Sequence, residues 1–304
     1  MDQIIKDSIR EFKPDSKEIT LEGHARKIRI MYEKFAVKRS LMEYLSVPKE
    51  VIENIEEKYS KITTISGVIC SIFTYLKAVK ADEKIIDYFY KKYIGLKREI
   101  NKINDLNEKT EIEEKNWITQ AEVKQRIDYL KTYLDIKHNS FDNFQQYLVL
   151  NLYFLITPLR NDYARVEVFN KFEEDYPGNS IALDTKKLTL NEYKTSKTYG
   201  RKTIVLPDEL VDIVAKWIII REKIHPELIG RKELLFNLKL TPMNQVNLTM
   251  YLNKIFGRRV SSTMLRKSYL SERFPVNESI FDMKELAGNM CHSIRDQQSS
   301  YRKK

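Results

Sequence analysis

Cysteine and glycine are both scarce in this chain, at 2 and 8 of 304 residues. Cys70 and Cys291 are too few for a disulfide framework and lack the spacing of a zinc site, which predicts a reducing compartment and no bound metal. No GxxxxGK[ST] run occurs, so the sequence predicts chemistry without ATP, and nothing in it calls for a cofactor. Long hydrophobic runs are missing too. The longest, Tyr147 to Ile156, is about half of the roughly 20 residues a membrane span needs. The stretch from Met1 to Lys13 mixes acids with lysine and has no apolar core, so it does not read as a signal peptide. Together these absences predict a soluble intracellular protein. Few glycines beside abundant Ile, Lys, Asn and Tyr fit AT-rich coding, which bears on origin and not on mechanism.

What the chain has in excess is positive charge. Lys+Arg number 53 against 43 Asp+Glu, a formal +10 with a pI near 9.2, which favours a polyanionic partner and above all nucleic acid. A hydrophobic fraction of 42% with 11% aromatics argues against a disordered chain, and the length suffices for two domains with separate cores.

Apolar spacing organises the first third into helices. In Ile19 to Phe35 (ITLEGHARKIRIMYEKF), Ile28, Met31, Tyr32 and Phe35 form a helical stripe with Arg26 and Lys27 beside it. Ile62 to Val79 and Lys84 to Ile103 also read as helices. Asn101 to Lys115 is polar and charge-mixed, which predicts an unordered linker and a domain division at residues 112/113.

Beyond it, Thr119 and Glu122 form a capping box for a helix reaching Leu134. A longer apolar helix, Phe141 to Ile156, ends at Thr157-Pro158, a pair that predicts a new helix with Arg160 in its first turn. Ile181 to Leu183, Leu188 to Tyr193 and Thr203 to Leu206 read as short strands, with a turn over Thr195 to Gly200 and Lys194 where strand gives way to turn. From Asp208 to the last residue the pattern is helical, broken at Pro226, Pro242 and Pro275. Ser293 and Asp296 make a helix-start signal that places His292 just before a helix and Tyr301 on its third turn.

Arg160, Lys194, Arg266, His292 and Tyr301 make sense as one chemical set. Cleaving a DNA phosphodiester passes through a five-coordinate phosphorus whose oxygens gain negative charge, so catalysis rests on positioned cations and hydrogen bonds. Two arginines can clamp those oxygens, a lysine can protonate the departing 5′ oxygen, and a tyrosine can hold the 3′ phosphate covalently until religation. None of these residues is specific alone; the ordered combination in a basic chain is.

On these residues the sequence resembles the tyrosine recombinase (phage-type integrase) family, closest in flavour to integrases of large DNA viruses and their virus-like parasites. TPLRNDY around Arg160 looks like the first arginine box, and EYKTSKTYGRKTIVLP around Lys194 like the β-hairpin with its catalytic lysine. TMLRKSYLS around Arg266 looks like the second arginine box, and MCHSIRDQQSSY like the closing box with His292 and the nucleophile Tyr301. The resemblance is specific over Trp117 to Lys304 and loose before it. It implies a mostly α protein with a small antiparallel β-sheet or hairpin in the catalytic domain, folded as a C-shaped two-domain DNA clamp. Residues 1–112 would be a helical, SAM-like core-binding domain and 113–304 the catalytic domain. The partners implied are double-stranded DNA and further copies of the chain in a synaptic tetramer, with no membrane. The place of action would be a bacterial-type cytoplasm, or a host nucleus or viral factory.

The sequence departs from the pattern at several positions. Thr263 stands where the family usually has histidine, so proton transfer would be impaired or would pass to Lys267. Tyr163 replaces an acidic residue, with Asp162 beside it as a substitute; Cys291 replaces a glycine; Lys197 rivals Lys194. Only three residues follow Tyr301, too few for a tail that docks on a neighbouring subunit, so contacts between protomers are expected to come from elsewhere or to be weak. Arg26, Lys27, Arg258 and Arg259 are candidate DNA phosphate contacts. Three other readings stay open: a type IB topoisomerase, a non-cleaving DNA-binding protein of recombinase descent, and a basic RNA-binding or structural protein.

Overall fold

The computed structural model describes residues 1–36, 38–136, 140–273 and 290. Two compact units divide the chain, Met1–Leu106 and Asn107–Lys304.

The first unit is helical: α1 (Asp2–Phe12), α2 (Glu18–Phe35), α3 (Leu41–Leu45), α4 (Pro48–Lys58), α5 (Ile62–Ala78) and α6 (Glu83–Asp105). Its centre is α5, buried from Ile65 through Leu76 on almost every face, because α1, α2, α4 and α6 all pack on it. From α2 come Leu21, Ala25, Ile28 and Met31, spaced by four, three and three residues, one buried stripe on an otherwise polar helix. Each large apolar side chain buried this way contributes about 1.5–3 kcal/mol. Start signals are local: Ser40 and Glu43 close a capping box on α3, and the Asp82 carboxylate accepts from the Lys84 N–H at 2.8 Å on α6.

The second unit continues with α7 (Glu111–Asn116), α8 (Gln120–Ile136) and α9 (Phe141–Phe154), then a 3-10 turn over Asn161–Arg165. Strands β1 (Val166–Phe169), β2 (Asn179–Ala182) and β3 (Lys187–Leu190), the short α10 (Ser196–Tyr199) and β4 (Lys202–Val205) follow. After α11 (Asp208–Ile224) and a 3-10 turn at Pro226–Leu228 come α12 (Gln245–Phe256) and α13 (Ser262–Arg273). Buried without interruption from Phe144 to Tyr153, α9 is the centre of this core and is flanked by α8 and α11. Trp217 of α11 lies against Phe141 and Phe144, with ring centroids 4.8 and 6.1 Å away. Gln145 of α9 pins an irregular stretch by both ends of its amide: Nε2 donates to the Phe236 carbonyl at 2.9 Å, and the Phe236 N–H donates to Oε1 at 2.8 Å.

The protein is thus mostly helical with one small sheet, but the sheet is mixed and not antiparallel. Its order is β1-β2-β3-β4, and β1 runs parallel to β2, Val166 opposite Asn179, before the antiparallel pairs β2/β3 and β3/β4. Alternating side chains announce a strand but not its direction, and β1 gives little announcement at all.

The expected linker at 101–115 is largely helical. Asn101 to Asp105 complete α6, and Thr110 with Glu113 closes a capping box that starts α7. Glu113 pairs with Lys267, and the Asn116 side chain accepts from the Arg259 N–H at 3.0 Å, so α7 is tied into the second unit. Residues 229–244, expected to be mostly helical, instead carry isolated β-bridges, Glu167 to Glu233 and Phe236 to Pro242. Among the described residues no helix is long and apolar enough to cross a membrane.

Candidate active site

Arg266 is buried in the second unit. On α13, Ser262, Arg266, Tyr269 and Leu270 share the buried face, while Thr263 points to solvent. The Arg266 side chain is 0% exposed. Its Nη1 donates to the Pro158 carbonyl at 3.0 Å and its Nη2 to the Met290 carbonyl at 3.1 Å. Pro158 belongs to the stretch that contains Arg160, and Met290 opens the stretch that contains His292 and Tyr301. Two carbonyls, 108 and 24 residues away in sequence, therefore meet on one guanidinium.

Asp162 is buried within the electrostatic reach of both arginines. At 5% exposure its carboxyl is held above its ordinary pKa by burial, while Arg160 and Arg266, followed by Arg165, pull it back down. Both candidate arginines thus act electrostatically on one buried carboxylate. Tyr163, at the position where an acid was expected, is fully buried and donates its hydroxyl to the Leu152 carbonyl at 2.8 Å. Tyr153 completes the cluster; its hydroxyl is pushed well above the usual phenol pKa by burial first, then by Tyr163 and Asp162, with Arg266 and a hydrogen bond to Ser262 opposing.

Arg160 is half-buried and precedes the 3-10 turn as its N-cap, with φ −68° and ψ −163°, so it lies just outside a short turn and not in the first turn of an α-helix. The turn is held by Asn161, whose Nδ2 donates to the Gln245 carbonyl at 2.7 Å and to the Thr249 hydroxyl at 2.6 Å on α12.

Lys194 is exposed on the connection from β3 to β4, and no described hydrogen bond or ion pair joins it to the arginines. The base of that connection is firm. The Asn179 Oδ1 accepts from the N–H groups of Asn191 and Glu192 at 2.9 and 2.8 Å, and Tyr193 donates its hydroxyl to the Gly200 carbonyl at 2.7 Å. Gly200, at φ +67°, takes the left-handed backbone that closes the loop. Lys197 sits exposed on α10, within the same connection.

The remaining candidates divide. Lys267 is engaged by Glu113 in a half-buried ion pair, and Arg258 donates to the Glu122 carboxylate at 2.5 Å. Arg259 is exposed. In the first unit Arg26 is exposed and Lys27 half-buried on α2. His292 and Tyr301, with Cys291 and the helix expected after Ser293, lie outside the described residues. Sequence reasoning missed Ser262 and Tyr153: nothing before the helix phase was known distinguished Ser262 from the exposed Thr263.

No family model matches the chain, and no curated protein sequence matches it. A solved structure similar to it is the crystal structure of XerA recombinase, at 9% identity and a TM-score of 0.44, over 98% of this chain and 92% of that one. A likeness at that level carries nothing about residues or chemistry.

Proposed function

We propose that the protein is a site-specific DNA recombinase or integrase that cleaves and rejoins DNA through a 3′-phosphotyrosyl intermediate. The observation that supports this reading best is the convergence at Arg266, which binds the carbonyls of the first-arginine and closing stretches and shares the field of Asp162 with Arg160. A guanidinium has five N–H groups, so two carbonyl bonds leave donors for a phosphate, which reaches the 0% exposed Arg266 only after the site opens.

In this mechanism Arg160 and Arg266 neutralise the non-bridging oxygens, and the Tyr301 oxygen, giving up its proton to water, attacks phosphorus as the bond to the 5′ oxygen breaks. Lys194 delivers the proton that the leaving oxygen takes up, and His292 hydrogen-bonds the same phosphate. One buried carboxyl, Asp162, against two arginines leaves the pair a net positive charge. Religation runs the same steps in reverse and needs no nucleotide. Substrate and partners would be double-stranded DNA and further copies of the chain on it.

The test is a nicked suicide substrate, on which wild type traps a covalent adduct and Tyr301→Phe binds DNA without one. An undiminished adduct in the variant would exclude the assignment. A second reading, a DNA-binding protein of recombinase descent that does not cleave, is favoured by the complete burial of Arg266 and by the solvent-facing Thr263 in the place of histidine. Bound DNA with no wild-type adduct would establish it.

A further inference from the structure

The first unit contains a small pocket that the chemistry proposed for the second does not use. His24 and Lys27 of α2, Ser66 and Gly67 of α5, and Tyr93 and Lys97 of α6 face a cavity of about 190 Å3. At roughly 30 Å3 per water, that holds a tetrahedral oxyanion with some of its hydration.

Its charge is one-sided. No carboxylate lines the pocket, and among the described residues neither Lys27 nor Lys97 forms an ion pair. Lys27 Nζ reaches over Gly67 to its carbonyl at 3.4 Å, a long contact, and Lys97 Nζ stands 5.6 Å from the centre of the Tyr93 ring. Protonation of His24 is disfavoured by burial first and then by Lys27 and Lys13.

A second observation points the same way. Ser66 is 2% exposed, and its hydroxyl has no hydrogen-bond partner among the described residues. A serine or threonine inside a helix can donate back to the carbonyl four residues earlier. On the same helix Ser71 does so to Gly67 at 2.9 Å and Thr74 to Cys70 at 2.8 Å. Ser66 does not, and an enclosed hydroxyl without a partner is costly.

The single Ser71 proton has two neighbours at 2.9 Å, the Gly67 carbonyl and His24 Nδ1; in the arrangement that satisfies all three groups it goes to Gly67 and Nδ1 donates to the Ser71 oxygen. Neutral His24 therefore keeps Nε2 as an acceptor, and protonation there would add a donor.

We propose that this pocket binds a phosphate group, with Lys27 and Lys97 supplying the charge, His24 an N–H once Nε2 is protonated, and Ser66 a hydroxyl that donates once it rotates out of its enclosure. The phosphate is a DNA backbone phosphodiester or a free ion. The DNA source rests on the proposed function; the site does not.

The test uses the full chain, whose 4 histidines allow the His24 ring signal to be assigned with His24→Gln. Inorganic phosphate, added at constant ionic strength, should shift that signal saturably and move its titration to higher pH. Lys27→Gln or Lys97→Gln, checked for an unchanged melting temperature, should weaken binding about tenfold. On duplex DNA each variant should lower the slope of log affinity against log salt by about one. A His24 response without a change in slope assigns the site to free phosphate and refutes the DNA source. A response in a protein that binds no DNA removes the proposed function and keeps the site. DNA binding with no His24 response and an unchanged slope overturns the site alone, as does a response equal in wild type and both lysine variants.

Discussion

Replacing Arg266 should weaken the fold of the second unit, so loss of activity in Arg266→Ala would say little about catalysis. The guanidinium is 0% exposed and bridges two carbonyls at 3.0 and 3.1 Å. Alanine leaves both buried acceptors unmet, at about 1–3 kcal/mol each, and removes a positive charge beside Asp162. Removing a desolvated charge returns part of that. The net expectation is a loss of about 2–5 kcal/mol, large against the roughly 5–15 kcal/mol of an ordinary domain. Arg266→Lys keeps the charge but cannot copy the fork, and should lose about 1.5–3 kcal/mol. Urea denaturation followed by tryptophan fluorescence measures this in the right place, because the chain's 2 tryptophans, Trp117 and Trp217, both belong to the second unit. That matters where two units need not unfold together. If Arg266→Ala stays within about 0.5 kcal/mol of wild type, the guanidinium is not the staple described above. Arg266→Lys, if folded, is the variant on which chemistry can be judged.

Gln145→Leu should destabilise the second unit by about 2–5 kcal/mol in the same assay, because the Phe236 N–H and carbonyl both lose their partner; a change below about 0.5 kcal/mol would contradict this. Asp162 has a raised pKa in the folded state, so its contribution to stability is full below the unfolded value near 4 and is lost as pH rises through the folded one. Melting temperatures from about pH 4 into the neutral range should show Asp162→Asn gaining on wild type as pH rises, and a flat difference would refute the shift. DNA affinity should fall steeply with salt, and a flat response would count against Arg26, Lys27 and Arg259 as phosphate contacts.

Local signals carried much of the fold. The stripe Ile28-Met31-Tyr32-Phe35 marked α2, and the Thr119–Glu122 box marked the start of α8, whose hydrogen bonds it makes at 2.8 and 3.1 Å. Short-range chemistry of this kind is written in neighbouring residues. What escaped the sequence depends on distant partners: β1 is defined by its parallel pairing with β2, and α7 is anchored by Lys267, 154 residues away. The charges at Arg258 and Lys267 looked available for DNA or proton transfer until Glu122 and Glu113 were found beside them. At the candidate site, the order of Arg160 and Arg266 was legible, but the bond from Arg266 to the Pro158 carbonyl, two residues before Arg160, was not. Helix phase alone decided that Ser262 turns inward and Thr263 outward.

The central claim is tested most directly by mass spectrometry of the protein–DNA adduct recovered from a nicked substrate. The account predicts one modified peptide, with a 3′-phosphonucleotide on the Tyr301 oxygen. A linkage through another residue, or bound DNA with no linkage at all, would contradict it.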